Sequence, residues 1–343
     1  MTERTTIRLA TRGSPLALWQ AQRVAELLER SGVSSTLVVV DTDGDRRPDV
    51  PLDRLGGQGI FVKEVQAAVL RGDADAAVHS AKDLPACPEI EVSGLVLAAF
   101  PERADPRDVL VGGHLDTLPT GSTVATGSAR RRAQLANLRP DLTFTGLRGN
   151  LATRLAAVGR VDVAAVVVAN AALDRLGWSP PAGVKTQVLD PGTMLPQVGQ
   201  GALAVECREG DGAVGGALAA IDDPATRRLV TAERAYLAEL GGGCTLPVGA
   251  YARWAGSPPA GDPSDARPIE LTGMLASADG VVVLRHAEIG DQPADLGRSV
   301  ARHLLDGAGG RRLGEWESAP EDQLADGQLA DGQLADGRGA VDR

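Results

Sequence analysis

Two periodicities alternate along the chain. Short apolar stretches that read as strands (Ile7 to Thr11, Ser35 to Asp41, Ala74 to Ser80, Ser122 to Thr126, Leu142 to Gly146, Val161 to Ala169) are separated by stretches in which apolar residues return every three or four positions (Leu16 to Arg30, Ile60 to Arg71, Ala129 to Leu138). Strand and helix in alternation predict α/β units. At Leu195 to Gly201 glycine and glutamine interrupt the pattern, and the strand Ala202 to Glu206 is read as the chain's return to its first unit. Beyond about Asp222 the pattern changes to a helix through Leu229 to Leu240, strands Val248 to Trp254, Ile269 to Ser277 and Val281 to Ala287, a turn at Asp279-Gly280, and a helix Ala294 to Leu305. That succession predicts a small α+β unit with an antiparallel sheet. The expected organisation is two α/β domains, residues 1–102 with 199–218 and residues 103–198, followed by an α+β domain over 219–317.

Breaks in the pattern locate the loops. Ser14 is placed to cap the first helix, with Pro15 at its first position, where the missing N–H costs nothing. Gly241, Gly242 and Gly243 stop the helix that ends near Leu240, so Cys244 is expected on a loop. Residues 42–59, rich in Asp, Gly, Arg and Pro, read as a mobile lid, and Ala255 to Pro268 as a Pro/Gly loop. The pentapeptide QLADG recurs from Gln323, Gln328 and Gln333, a period that cannot keep one helical face, so 318–343 is expected to be a disordered acidic tail.

Composition narrows the class. The three cysteines, Cys87, Cys207 and Cys244, form no CxxC pair, so neither a disulfide framework nor a metal site is expected. The first residues lack the apolar core of a signal peptide and no window approaches a membrane span, so a soluble, cytoplasmic protein without membrane contact is expected. The net charge of −10 is unevenly spread: residues 315–343 hold eight acidic groups against two arginines, whereas residues 126–154 hold six arginines against Asp141 alone. An acidic body with three lysines argues against nucleic acid as a partner. A local arginine cluster suits small carboxylates or phosphates, which guanidinium binds bidentately.

The polar residues that recur at the ends of predicted strands are candidates for that role. Arg12 and Ser14 follow the first strand, and Ser80, Lys82 and Asp83 end the third, where open α/β sheets place ligands. Arg130 and Arg131 fall in the first turn of a helix, where cations oppose the helix dipole, and Arg148 and Arg154 flank the next turn. Solvated helix faces and ordinary turn chemistry would account for the same residues without a ligand.

ATRGSPLALWQ (Ala10 to Gln20), HSAKDLP (His79 to Pro85), LRGN with Thr153-Arg154, LPQVGQGAL (Leu195 to Leu203), TAERAYL (Thr231 to Leu237) and GGGCTLP around Cys244 occur in this order, and the chain thereby resembles the porphobilinogen deaminases, or hydroxymethylbilane synthases. The resemblance implies two periplasmic-binding-protein-like α/β domains with a cleft between them and a third domain whose Cys244 carries a dipyrromethane through a thioether. It implies a transferase that joins four porphobilinogens head to tail onto this primer, with loss of ammonia, and releases hydroxymethylbilane by hydrolysis. Asp83 would be the catalytic carboxylate. Arg12, Ser14, Ser80, Lys82, Thr126, Ser128, Arg130, Arg131, Arg148 and Arg154 would hold acetate and propionate groups, and Gln20, Arg175 and Gln200 are further cleft residues. A monomer is expected, its product passing to uroporphyrinogen-III synthase. The chain departs from the family pattern at Gln58, where a lysine is common, and at Gly127, where a serine is usual. A solute receptor shares such a cleft but needs neither Asp83 nor Cys244. A ligand-sensing regulator would need a DNA-binding element, and none is visible.

Overall fold

The computed structural model describes residues 6–41, 62–86, 92–241, 247–256 and 267–313. Cys87, Cys244, the expected lid, most of the Ala255 to Pro268 loop and the tail therefore lie outside the described residues.

Each α/β unit is built on a five-stranded sheet. In the first, β1 (Ile7–Arg12) lies parallel to β2 (Ser35–Val40) and β3 (Ala76–Ser80), and β10 (Leu203–Arg208) inserts antiparallel between β3 and β4 (Leu95–Ala99). The Ser14 hydroxyl accepts a bond from the Ala17 amide at 3.3 Å and Pro15 opens α1 (Pro15–Arg30), whose Gln20, Ala21, Val24 and Leu28 are buried. Helix α2 (Lys63–Leu70) buries Val65, Gln66, Ala68 and Val69. The second sheet repeats the plan. Strand β5 (Asp108–Val111) lies antiparallel between β8 (Ala165–Ala169) and β9 (Thr186–Leu189), while β6 (Thr123–Ala125) and β7 (Thr143–Thr145) run parallel to β8. Its helices are α3 (Ala129–Leu138), α4 (Leu151–Leu155) and α5 (Asn170–Arg175). Helix α6 (Gly212–Ala219) follows β10.

The third unit is the antiparallel sheet β11 (Val248–Trp254), β12 (Ile269–Ala276), β13 (Val283–Gly290), packed against α7 (Pro224–Glu239) and α8 (Pro293–Arg302). Tyr236 of α7 is fully buried there and donates to the Met274 carbonyl at 2.8 Å. Gly273 makes room for it, since a Cβ at that position would stand 2.6 Å from the tyrosine ring.

The expected fold class, α/β with a small antiparallel α+β unit, is the one observed. Several elements differ from their sequence outlines. The strand expected over Val161 to Ala169 is confined to Ala165–Ala169, because Arg160 and Asp162 flank Val161 and leave it exposed on a turn. Strands β4, β5 and β9 and helix α6 were not foreseen: the strands are only four or five residues long, and six of the eight residues of α6 are glycine or alanine, with little apolar contrast between its faces. The last helix ends at Arg302 and continues as one π-helical turn, His303–Gly307.

The chain crosses between the two five-stranded sheets twice, after β4 and after β9, and the crossings touch. The Gly201 carbonyl accepts from the Ala104 amide at 3.1 Å, and the Arg103 Nε donates to the Gln200 carbonyl at 2.9 Å. Gly201 has φ +85°, and a Cβ there would come within 2.5 Å of the Ala104 oxygen, so only glycine lets the segments meet. Glu233 of α7 ties this junction to the third unit. Its fully buried carboxylate accepts from both terminal nitrogens of Arg103 (2.7 and 3.0 Å), from the Gly199 amide (2.8 Å) and from the Ala252 amide (3.0 Å). Removing one partner from a buried pair strands the other charge, at a cost of roughly 3 kcal/mol or more. Glu233→Gln should therefore lower unfolding free energy by about 3 kcal/mol in a urea titration; a loss below about 1 kcal/mol would show that Arg103 finds another acceptor.

Candidate active site

The site forms where β3 ends. Asp83 closes a 3₁₀ turn, Ala81–Asp83, whose Ala81 amide donates to the Ala202 carbonyl at 3.0 Å. The turn lies against the second crossing segment: the Gln197 amide donates to the Lys82 carbonyl at 3.3 Å, and the Lys82 ammonium donates to the Gln200 side-chain oxygen at 3.3 Å. Gly199, with φ +71°, permits the approach, since a Cβ would stand 3.1 Å from Ala81. Asp83 and Lys82 are both half-buried. Parallel register places the end of β1, with Arg12, beside the end of β3, with Ser80.

The opposite wall is the start of α3. Ser128 caps it, accepting from the Arg131 amide at 3.4 Å, and the Thr126 hydroxyl accepts from the Ser128 amide at 3.2 Å. The three consecutive arginines then divide. Arg130 and Arg131 turn inward, 3% and 6% exposed, whereas Arg132 reaches the Ala278 carbonyl of the third unit at 2.9 Å. The solvated face that would have explained the arginines without a ligand is thus not what the first two form. Asp108, the buried first residue of β5, receives them: its two oxygens lie 2.8 Å from Arg130 Nη1 and 2.8 Å from Arg131 Nη2. The Gln200 amide donates to the same carboxylate at 2.9 Å, so Gln200 bridges Lys82 of the first unit and Asp108 of the second. Burial alone would raise the Asp108 carboxyl, but the two arginines outweigh it and hold it well below the usual range.

Positive charge remains in excess. Burial lowers the Arg130 guanidinium, with Asp108 only partly opposing it, and Arg130 Nε and Nη2 are buried with no hydrogen-bond partner among the described residues. Nη1 also donates to the Leu195 carbonyl at 2.5 Å. Arg154, whose Nε donates to the Gly149 carbonyl at 2.9 Å, is lowered by burial and by Arg131 and Arg148, with Asp83 opposing. Burial, with Arg131 and Arg130 adding to it against Asp83 and Asp108, brings Lys82 down to about 8. Arg175 is brought to about 10 by burial; its Nη2 donates to the Gly201 carbonyl at 2.7 Å and its Nε is buried without a partner. Asp83, Lys82, Arg130, Arg131, Arg148 and Arg154 therefore share one electrostatic neighbourhood. Gln20 is buried on α1. Sequence reasoning missed Asp108 and Gln197. An acid opening an otherwise apolar strand, Asp-Val-Leu-Val, was the available signal for Asp108, because buried carboxylates need cations. Gly127 sits where a Cβ would approach the Leu147 carbonyl to 2.8 Å, so the usual family serine would push back the loop that carries Arg148.

A sequence model described as the dipyrromethane cofactor-binding domain of porphobilinogen deaminase matches residues 7–215, and one described as the C-terminal domain of that enzyme matches 228–306. The chain belongs to the porphobilinogen deaminase family. Relatives so named include proteins of Syntrophus aciditrophicus, 45% identical across 88% of this chain and 96% of the relative, and Acidothermus cellulolyticus, 46% identical across 87% and 88%. The porphobilinogen deaminase of Bacillus subtilis is 40% identical over 88% of this chain and 93% of its own length. Among solved structures, the methionine-binding protein MetQ aligns over 63% of this chain and 88% of its own at TM-score 0.39 and 15% identity, a distance at which the likeness carries no weight. Membership makes the protein a hydroxymethylbilane synthase, polymerising porphobilinogen in tetrapyrrole synthesis with a dipyrromethane cofactor. The site suits such a group: buried, unpartnered guanidinium donors beside a surplus of cations call for a ligand bearing several carboxylates. Among the described residues, no helix is long and apolar enough to cross a membrane and no cluster could hold a metal ion.

A carboxylate bound beside Lys82 favours the ammonium, so binding draws a proton onto it between pH about 8 and the ordinary lysine value of 10.5. The affinity of cofactor-free protein for succinate should therefore fall as pH rises through that window, by up to about tenfold per unit. Lys82→Gln should flatten the slope in a calorimetric titration, and a slope that persists in the variant would exclude Lys82 as its source.

Proposed function

We propose that Asp83 is the catalytic carboxylate of the polymerisation and that Cys244 carries the dipyrromethane through a thioether. The observation that supports the reading most is that Gln200 joins the Asp83 turn to the Asp108 carboxylate that holds Arg130, whose buried Nε and Nη2 have no acceptor among the described residues. Arg12, Ser14, Ser80, Lys82, Thr126, Ser128, Arg130, Arg131, Arg148 and Arg154, with Gln20, Arg175 and Gln200, are proposed to hold the acetate and propionate groups. Each porphobilinogen brings two carboxylates, so charge accumulates as the chain grows, and the arginine surplus offsets it.

The cofactor, when bound, supplies a terminal pyrrole to which the first substrate unit is joined. The residues of this chain do the rest. When porphobilinogen loses ammonia, its pyrrole becomes a methylene-pyrrolenine cation, and a carboxylate beside the pyrrole N–H lowers the energy of that developing charge. Asp83 performs this role and carries protons to and from the reacting groups. Asp108 does not face the substrate in this reading; it neutralises part of the charge on Arg130 and Arg131 so that the pair can be buried before any anion arrives. We also propose a cytoplasmic monomer divided at 1–102 with 199–218, 103–198 and 219–317, whose product is consumed by uroporphyrinogen-III synthase.

Asp83→Asn keeps the shape of the side chain and removes its charge, so turnover should fall about 10²-fold or more, while intact-mass analysis still detects the primer. Near-normal turnover would defeat the role given to Asp83. Cys244→Ser should fold but carry no pyrrole, because an alcohol is a far weaker nucleophile than a thiolate. Protein from porphobilinogen-producing cells should be heavier than its sequence by the primer in the wild type and not in the variant; a wild-type mass equal to the bare chain contradicts the attachment.

A further inference from the structure

Arg175 stands at a junction of three parts of the molecule. It is the last residue of α5 in the second unit, its Nη2 donates to Gly201 at the meeting of the two crossings, and its Cζ lies 5.6 Å from the ring centroid of Trp19 on α1 of the first unit. Helices α1 and α5 thus touch across the two sheets through this pair. The guanidinium has one face toward an indole and one terminal nitrogen on a backbone oxygen, and it is 9% exposed. Its Nε is buried and has no acceptor among the described residues. A planar cation fixed on one face and one edge presents its remaining donors, Nε among them, in set directions, which is what recognition of a carboxylate requires. Trp19 is 38% exposed, an uncommon position for a large aromatic ring that completes no core cluster.

We propose that Trp19 is a positioning residue: its indole holds the Arg175 guanidinium so that Nε meets a carboxylate of the substrate chain, and occupancy is thereby felt at Gly201, where the two crossings meet. The inference rests on the reading of Arg175 as a cleft residue. Trp19 itself touches no reacting atom. Indole attracts a guanidinium more strongly than a phenyl ring does, and a phenyl ring more than a methyl group, so substitutions at 19 should be graded. The Gly201 carbonyl also accepts from Ala104, so a guanidinium drawn toward a ligand would alter a contact shared by both crossings.

The test uses the full-length holoenzyme. Trp19→Ala should raise the KM for porphobilinogen roughly three- to tenfold, with a smaller change in kcat, and Trp19→Phe should recover most of the loss. The emission of Trp19, obtained as wild type minus Trp19→Phe, should shift on adding porphobilinogen and also when Arg175 is replaced by Gln. A structural role alone would move stability without the graded KM or the ligand-dependent emission. An unchanged KM in Trp19→Ala, or Trp19 emission indifferent to Arg175→Gln, overturns the proposal. Should Trp19→Ala fail to fold, the Phe variant and the emission measurement still decide it. Protein that lacks a pyrrole primer and any turnover would instead count against the functional reading, and the response of Trp19 to Arg175→Gln would still decide whether the stack exists.

Discussion

Two buried carboxylates hold the molecule in the form its site requires. Glu233 accepts four hydrogen bonds, from both crossing segments and from β11, and so fixes the third unit against the junction of the other two. Asp108 accepts Arg130, Arg131 and Gln200, and Gln200 in turn accepts Lys82. Each carboxylate is fully buried, and neither could be so without its cations. The polar core of the junction is therefore a continuous network, in which loss of one member leaves others unsatisfied. It places the Asp83 turn and the start of α3 on opposite sides of one space.

That space is arranged for anions before any anion is present. Lys82 and Arg154 are depressed chiefly by burial and by one another's neighbours, while the unsatisfied donors of Arg130 and Arg175 record hydrogen bonds that the protein does not make itself. The unfavourable part of this arrangement is largest in the empty protein and diminishes as carboxylates enter, which biases the site toward polyanionic ligands over neutral ones.

Much of this was legible in the sequence. The alternation of periods identified the α/β units, the Ser14-Pro15 pair located the start of α1, and the arginine-rich stretch of 126–154 indicated the sign of the ligand's charge. The destination of the arginines was not legible. Asp108 lies outside that stretch and meets Arg130 and Arg131 only because β5 inserts beside β8, a pairing that no local pattern encodes. For the same reason nothing in its own helix marks Glu233 beyond its place in TAERAYL, since its partners come from positions 103, 199 and 252. Short strands such as β5 and β9 carry too few residues for a period to register. The exposed turn at Val161 misled in the opposite direction, because an apolar side chain between charges resembles an alternating strand.

The insertion of β10 between β3 and β4 also orders events during synthesis. All five strands of the second sheet lie between Asp108 and Leu189, so that sheet can close as soon as its own segment has emerged. The first sheet begins at Ile7 but lacks its antiparallel strand until Leu203–Arg208 has been made. Until then β3 and β4 each present an unpaired, apolar edge, the kind of surface on which chains associate wrongly. Of the two five-stranded sheets, the one translated first is therefore completed second, and its nascent form has the longer exposure to chaperones and to neighbouring chains.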